Sequence, residues 1–159
     1  MAGDPPRTEP YRHVACCVDD SDAAAAAAAE AARAAGMGDG RLSLVHALAG
    51  TGRFTGGWTV RSPRREDLAE DLREEARGWL GALAEAHPGA EPVILEAGEH
   101  PADAVAAWAS EAGCDLLVCA PWRGPVARMA HLGSFAARLV RRAPCPVMLV
   151  GAAARRCVP

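Results

Sequence analysis

The chain has 159 residues, half of them apolar, and a formal net charge of -3. That length fits one ordinary domain with enough apolar mass to bury a core without disulfide or metal staples. The weakly acidic balance excludes the basic footprint of a nucleic-acid binder, and no apolar run approaches the roughly 20 residues that span a bilayer.

The opening segment MAGDPPRTEP lacks the apolar core of a signal peptide and reads as a disordered tail over residues 1–10. With neither export signal nor membrane span, the expected compartment is the cytoplasm. Arg12 to Asp19 (RHVACCVD) is an apolar run closed by an acid, which suits a strand buried on both faces. Asp20-Ser21-Asp22 then offers N-cap chemistry, with acids placed for the positive pole of a helix. Ala23 to Ala35 is almost all alanine, the strongest helix former, and Gly36 and Gly38 are expected to stop it. Arg41 to Ala47 (RLSLVHA) is a second strand. The stretch from Leu48 to Ser62 is the longest irregular segment, and its Phe54 and Trp58 either cover a ligand or pack over the sheet end.

Pro63 opens an amphipathic helix to about Ala86, with Leu68, Leu72, Ala76, Trp79, Leu80 and Leu83 on one stripe. Pro92 to Ala97 is a third strand. Pro101 starts a helix that carries Val105 and Trp108 on one face and ends before Gly113. Asp115 to Ala120 (DLLVCA) is a fourth strand, followed by a Pro- and Gly-rich loop. Gly133 to Ala143 is a final helix with Arg141 and Arg142 at its negative pole. Pro146 to Val150 is a fifth strand, and residues 152–159 form a tail. Such alternation implies an α/β fold: one three-layer α/β/α domain over residues 11–151, around an open five-stranded parallel sheet. Ligands of such sheets sit beyond the carboxyl ends of the strands, where strand order reverses. Three segments meet that condition: Cys17 to Ser21, His46 to Leu48, and Cys119 to Ser134.

Two stretches carry a family resemblance. VACCVDDSDAA resembles the opening of universal stress proteins, and DLLVCAPWRGPVARMAHLGSFAARLVRRAPCPVMLV resembles their C-terminal third. The resemblance implies the adenine-nucleotide alpha-hydrolase-like fold, a stress-response role, a homodimer paired through the fifth strand, and ATP or AMP as candidate cofactors. The family's phosphate motif is Gly, two residues, Gly, nine residues, Gly, then Ser or Thr. Counting back from Gly133-Ser134, the spacer is Gly124 to Leu132, so Arg123 and Ala120 stand where the first two glycines belong. Pro121 also removes a backbone N–H that would face a phosphate. Arg123 adds a Cβ and a cation, while Gly124 sits one position late. The motif is therefore degenerate, and weak or no ATP binding is expected. By the same resemblance, Cys17, Val18, Asp19 and Ala47 would approach the nucleoside. Cys119, Ala120 and Arg123 would line the phosphate loop, and Gly133, Ser134 and Phe135 would mark its helix end.

Each of these residues also has a plainer reading. Asp19 orients the first helix together with Ser21, and Ser134 caps the last one. Cys17 and Cys119, on strands expected to be neighbours, read as core thiols, with a redox-sensitive pair as the alternative. His46 has no acid partner legible in sequence. The six cysteines show no CxxC spacing, so no metal is expected. No GxSxG, HExxH or Walker A pattern is present, and no nucleophile has an assignable base. Three functions remain open: a regulatory binding protein with a degenerate site, an ATP-binding protein of slow hydrolysis, and an interaction module acting through its dimer surface, its pocket filled by Trp122.

Overall fold

Strands and helices alternate from β1 (His13–Cys17) through α1 (Asp22–Gly36), β2 (Arg41–Ala49), α2 (Pro63–Glu85), β3 (Ala90–Ala97), α3 (Pro101–Ala112), β4 (Leu116–Cys119) and α4 (Ser134–Arg142) to β5 (Val147–Leu149). The structure is a computed structural model and describes residues 9–37, 39–49, 63–121 and 133–151. The expectations placed on Gly38, Phe54, Trp58, Trp122, Arg123 and Gly124, and on most of both tails, lie outside the described residues. The strands form one parallel sheet in the order β3-β2-β1-β4-β5. The chain thus builds outward from β1 to β3, then returns to lay β4 on the other side of β1. The expected open α/β sheet is the observed one, and its strand order reverses between β1 and β4.

All five residues of β1 are buried, as the continuous apolar run predicts for a central parallel strand. The strand period of two divides its side chains between two layers. Val14 and Cys16 join Leu42, Leu44, Leu116 and Val118 beneath α1 and α2. Ala15 and Cys17 join Val45, Leu117 and Cys119 beneath α3 and α4. Six residues of α1, all alanine, are buried, and these small side chains bring that helix close to the sheet. Among the described residues, no helix is long and apolar enough to cross a membrane.

Two local expectations are corrected. Gly36 does not stop α1: it is the last helical residue, and the C-cap is Met37 in right-handed geometry. The reversal comes later, at Asp39 with φ 53, because Gly40 must bring its N–H to the Ala35 carbonyl at 2.9 Å. The stripe of α2 is buried only in its second half. Ala76 and Leu80 are in the core, and Trp79 and Leu83 pack against it. Leu68 and Leu72 are 50% and 39% exposed. A helix of 23 residues is about 34 Å long and outruns the eight-residue β3, which spans about 26 Å.

At the amino ends of the strands a buried polar cluster closes the sheet. The Asp115 carboxylate accepts the backbone N–H groups of Arg12 and His13, each at 3.0 Å. His13 is 4% exposed. Its Nδ1 lies 3.1 Å from the Ala112 carbonyl, which can only accept, so Nδ1 carries the proton. Nε2 is then an acceptor for the Ser43 hydroxyl at 2.9 Å. The Cys114 thiol and the edge of Trp108 complete the surround. Burial lowers the His13 pKa from 6.5, assisted by Arg41 and opposed by the Ala112 carbonyl, Asp115 and Glu91.

Two outcomes follow from this packing. A Cβ on Gly40 would overlap the Tyr11 carbonyl oxygen and press on those of Arg12 and Ala35. Gly40→Ala should therefore lower stability by about 1–3 kcal/mol in urea unfolding. His13 is neutral when folded, whereas the unfolded chain gains its proton as pH falls below 6.5. The urea midpoint should fall as pH drops from 7.5 toward the lowered folded pKa, and His13→Gln should flatten that dependence.

Candidate functional site

The carboxyl ends of β1, β2 and β4 and the N-terminus of α4 surround a cleft of about 580 Å³. It lies at the reversal point that the topology predicts. β1 supplies Cys17 and, just beyond its end, Val18 and Asp19. β2 supplies Val45, His46 and Ala47, while Cys119, Ala120 and Pro121 follow from β4, and Ser134 and Phe135 from α4. Val105 of α3 and Ala24 of α1 close the sides. Eight of the ten expected site residues thus line one cavity. Gly133 stands beside it as the N-cap of α4, and Arg123 lies outside the described residues.

The turn after β1 is held by a set of local and cross-strand hydrogen bonds. Val18 N donates to the Val45 carbonyl at 2.9 Å, which prolongs the strand contact by one residue. The His46 ring lies with Nδ1 2.8 Å from the Val18 carbonyl, so Nδ1 is the donor. The Ser21 hydroxyl donates to Asp19 Oδ1 and accepts from Ala24 N at 3.1 Å. Ser21 is thus the N-cap of α1, and Asp19 orients the capping hydroxyl, as the plainer reading of the sequence expects. Its exposed carboxylate still borders the cleft. His46 serves the structure, wedged edge-on against Trp79 at a centroid distance of 4.8 Å. Sequence periodicity does place His46 on the Trp79 side of the sheet, but not its bond to Val18.

The helix end of the site differs from one expectation. Ser134 does not cap α4. It is the first helical residue, and the cap is Gly133, with φ 76 and no side-chain hydrogen bond to the helix start. Only glycine takes that backbone without strain, and the helix N-terminus is left without a side-chain cap. Sequence reasoning also missed the brace behind this terminus. Arg138 Nε and a terminal guanidinium nitrogen bind the two oxygens of Asp103 at 2.8 and 2.6 Å, joining α4 to α3. Neither residue belongs to a recognisable motif, and only the packing of the two helices brings them together. Arg138 holds the Asp103 carboxyl below the usual carboxylate range.

The floor is apolar and sulfurous. Cys17 and Cys119 are register partners on adjacent strands, 8% and 1% exposed, and both are free thiols. Burial raises the Cys17 pKa well above its ordinary value, with Cys119 adding to the shift. Cys119 is pushed up to about 11 by burial. Asp19 is the one formally charged side chain among the described lining residues, and no Arg is among them. Among the described residues no group of three or more His, Cys, Asp or Glu is arranged to hold a metal ion.

The universal stress protein family model matches residues 10–151. No curated protein matches the chain by sequence. Among solved structures, a universal stress protein from Burkholderia pseudomallei is 26% identical, with a TM-score of 0.65 over 88% of this chain and 96% of that one. The universal stress protein UspA of Lactobacillus plantarum is 22% identical, with a TM-score of 0.68 over 88% and 97%. A universal stress protein of Archaeoglobus fulgidus in complex with dAMP is 23% identical, with a TM-score of 0.61 over 88% and 98%. The family match spans every strand and helix of the sheet described above, and the chain belongs to the universal stress protein family.

Proposed function

We propose that this protein is a cytoplasmic regulatory protein of the stress response, whose cleft takes an adenine nucleotide with a short phosphate chain and binds ATP weakly or not at all. The observation that carries the reading is the difference between the two ends of the phosphate side. At the helix end, Gly133 keeps its positive φ and α4 begins without a side-chain cap, which suits one anionic group at a helix N-terminus. At the strand end, Ala120 and Pro121 line the cleft, and proline has no N–H to offer a phosphate. A triphosphate brings several negative charges, and among the described lining residues it meets the Asp19 carboxylate and no guanidinium. A monophosphate needs less compensation. The dAMP complex of the Archaeoglobus fulgidus relative supports a ligand of this size. No hydrolytic role is assigned.

The same reading makes the protein a homodimer through β5. That strand is one edge of the sheet, and its Met148 and Leu149 are exposed at 37% and 36%, as is Val140 of the preceding α4 at 48%. An open apolar edge invites a further strand.

Calorimetry with AMP and ATP in the presence of magnesium tests the site. AMP should bind at least about tenfold more tightly than ATP, a difference of about 1.4 kcal/mol. Equal or tighter ATP binding would overturn the reading. Arg123→Gly should raise ATP affinity, and an unchanged value would count against the loop as the cause. For the dimer, light scattering on Leu149→Arg should give half the wild-type mass at equal concentration. A mass unaltered by the substitution would remove β5 from the interface.

A further inference from the structure

The two thiols on the cleft floor have a geometry of their own. Cys17 and Cys119 are paired in register across β1 and β4, share one face of the sheet, and both border the cavity. Neighbouring strands lie about 4.8 Å apart, so their side chains stand side by side at about that spacing. A disulfide requires Cβ atoms about 3.8 Å apart, closer than the sheet holds them. Two metal–thiolate bonds of about 2.3 Å each, laid end to end, bridge nearly the full strand spacing. Zinc takes four ligands in its structural sites, and no third His, Cys, Asp or Glu among the described residues is placed to join a metal-holding group. Magnesium and calcium require oxygen ligands.

We infer that Cys17 and Cys119 form a linear two-coordinate site for a soft, thiophilic d10 cation of the mercury(II), silver(I) and copper(I) class. Two S–H bonds break, two protons pass to solvent, and two metal–sulfur bonds form. No electron is transferred and no oxidant is needed. Soft thiolates select such ions over hard ones. A divalent cation leaves a neutral bis-thiolate, which suits an apolar floor bordered by Asp19, whereas a monovalent one leaves a negative charge there. Mercury(II) is therefore the preferred member. Burial keeps both thiols protonated near neutral pH, which suppresses oxidation and alkylation, and metal binding replaces those protons.

The test uses the full chain carrying Cys114→Ala, Cys145→Ser and Cys157→Ser, reduced and without nucleotide, so that nucleotide binding and this site succeed or fail separately. Native mass spectrometry with mercury(II) chloride should show one metal per chain and a loss of two protons. Peptide mapping after N-ethylmaleimide under mild denaturation should find Cys17 and Cys119 protected and Cys16, which faces the other layer, alkylated. X-ray absorption should show two sulfur neighbours and no nitrogen or oxygen. Cys17→Ala and Cys119→Ala should each weaken binding at least a hundredfold while leaving the chain folded, with the thermal midpoint lowered by only several degrees. Should either variant fail to fold, the alkylation map and absorption spectrum of the unsubstituted pair decide. The inference is overturned by zinc(II) binding as tightly, by metal retained in both folded single variants, by Cys17 and Cys119 remaining unprotected, or by a two-proton mass loss in peroxide that marks a disulfide.

Discussion

The position of β1 at the centre of the sheet is the constraint on which the rest of this molecule depends. Its five residues are buried on both faces, and its backbone is paired on both edges, to β2 from His13 to Cys17 and to β4 from Val14 to Cys17. A central parallel strand must offer apolar side chains in both directions, and VACC does so with small ones that admit an alanine helix on one side. Because β4 lies beside β1 rather than β3, the chain leaves an opening between the turns that follow β1 and β4. The cleft is therefore a consequence of strand order, and its floor is necessarily made by the last residues of these two strands.

The two ends of the sheet are finished differently. At the amino ends, Asp115 takes up two backbone N–H groups and His13 is enclosed by Ala112, Ser43 and Cys114. Every buried polar atom of a described side chain finds a partner, as burial requires. At the carboxyl ends the polar groups are fewer and face the cavity: Asp19 held by Ser21, and α4 capped by a glycine backbone alone. One end is closed by satisfied hydrogen bonds, and the other opens into the cleft. The Arg138–Asp103 pair lies behind the second end and ties α4 to α3, so the helix that would meet an anion is braced by its neighbour.

Much of this was legible in the residues. Strand and helix alternate with different periods, so RHVACCVD, RLSLVHA and DLLVCA announced strands, and the alanine run announced a helix, each within a few residues of its observed bounds. The motif count separated Gly133 from the replaced Ala120 and Arg123, and eight of the ten residues named in advance do meet in one cavity. Details that depend on a neighbour distant in sequence were misplaced. Gly36 resembled a left-handed helix stop, yet the positive φ falls at Asp39, and the glycine that the packing requires is Gly40, which approaches Tyr11 and Arg12 across the turn. Ser134 resembled a cap, yet the backbone at Gly133 starts the helix one residue earlier than a serine cap would. Leu68 and Leu72 continued an apolar period beyond the strands available to cover it.

The chain by itself determined the class of fold, the central strand and the family, because these rest on periodicity and on a local motif whose residues are contiguous. Only the tertiary structure decided which groups share a hydrogen bond or a wall. His46 meets Val18, Arg138 meets Asp103, and His13 meets Ser43 because separate strands and helices are brought side by side. Such a pairing depends on register and strand order, and neither is written in the spacing of residues along one segment. The stretch from Ala120 to Ser134 shows the same division. Its departures from the expected glycines were counted from the sequence, whereas the meeting of Ala120 and Pro121 with the start of α4 in one cleft follows from β4 lying beside β1.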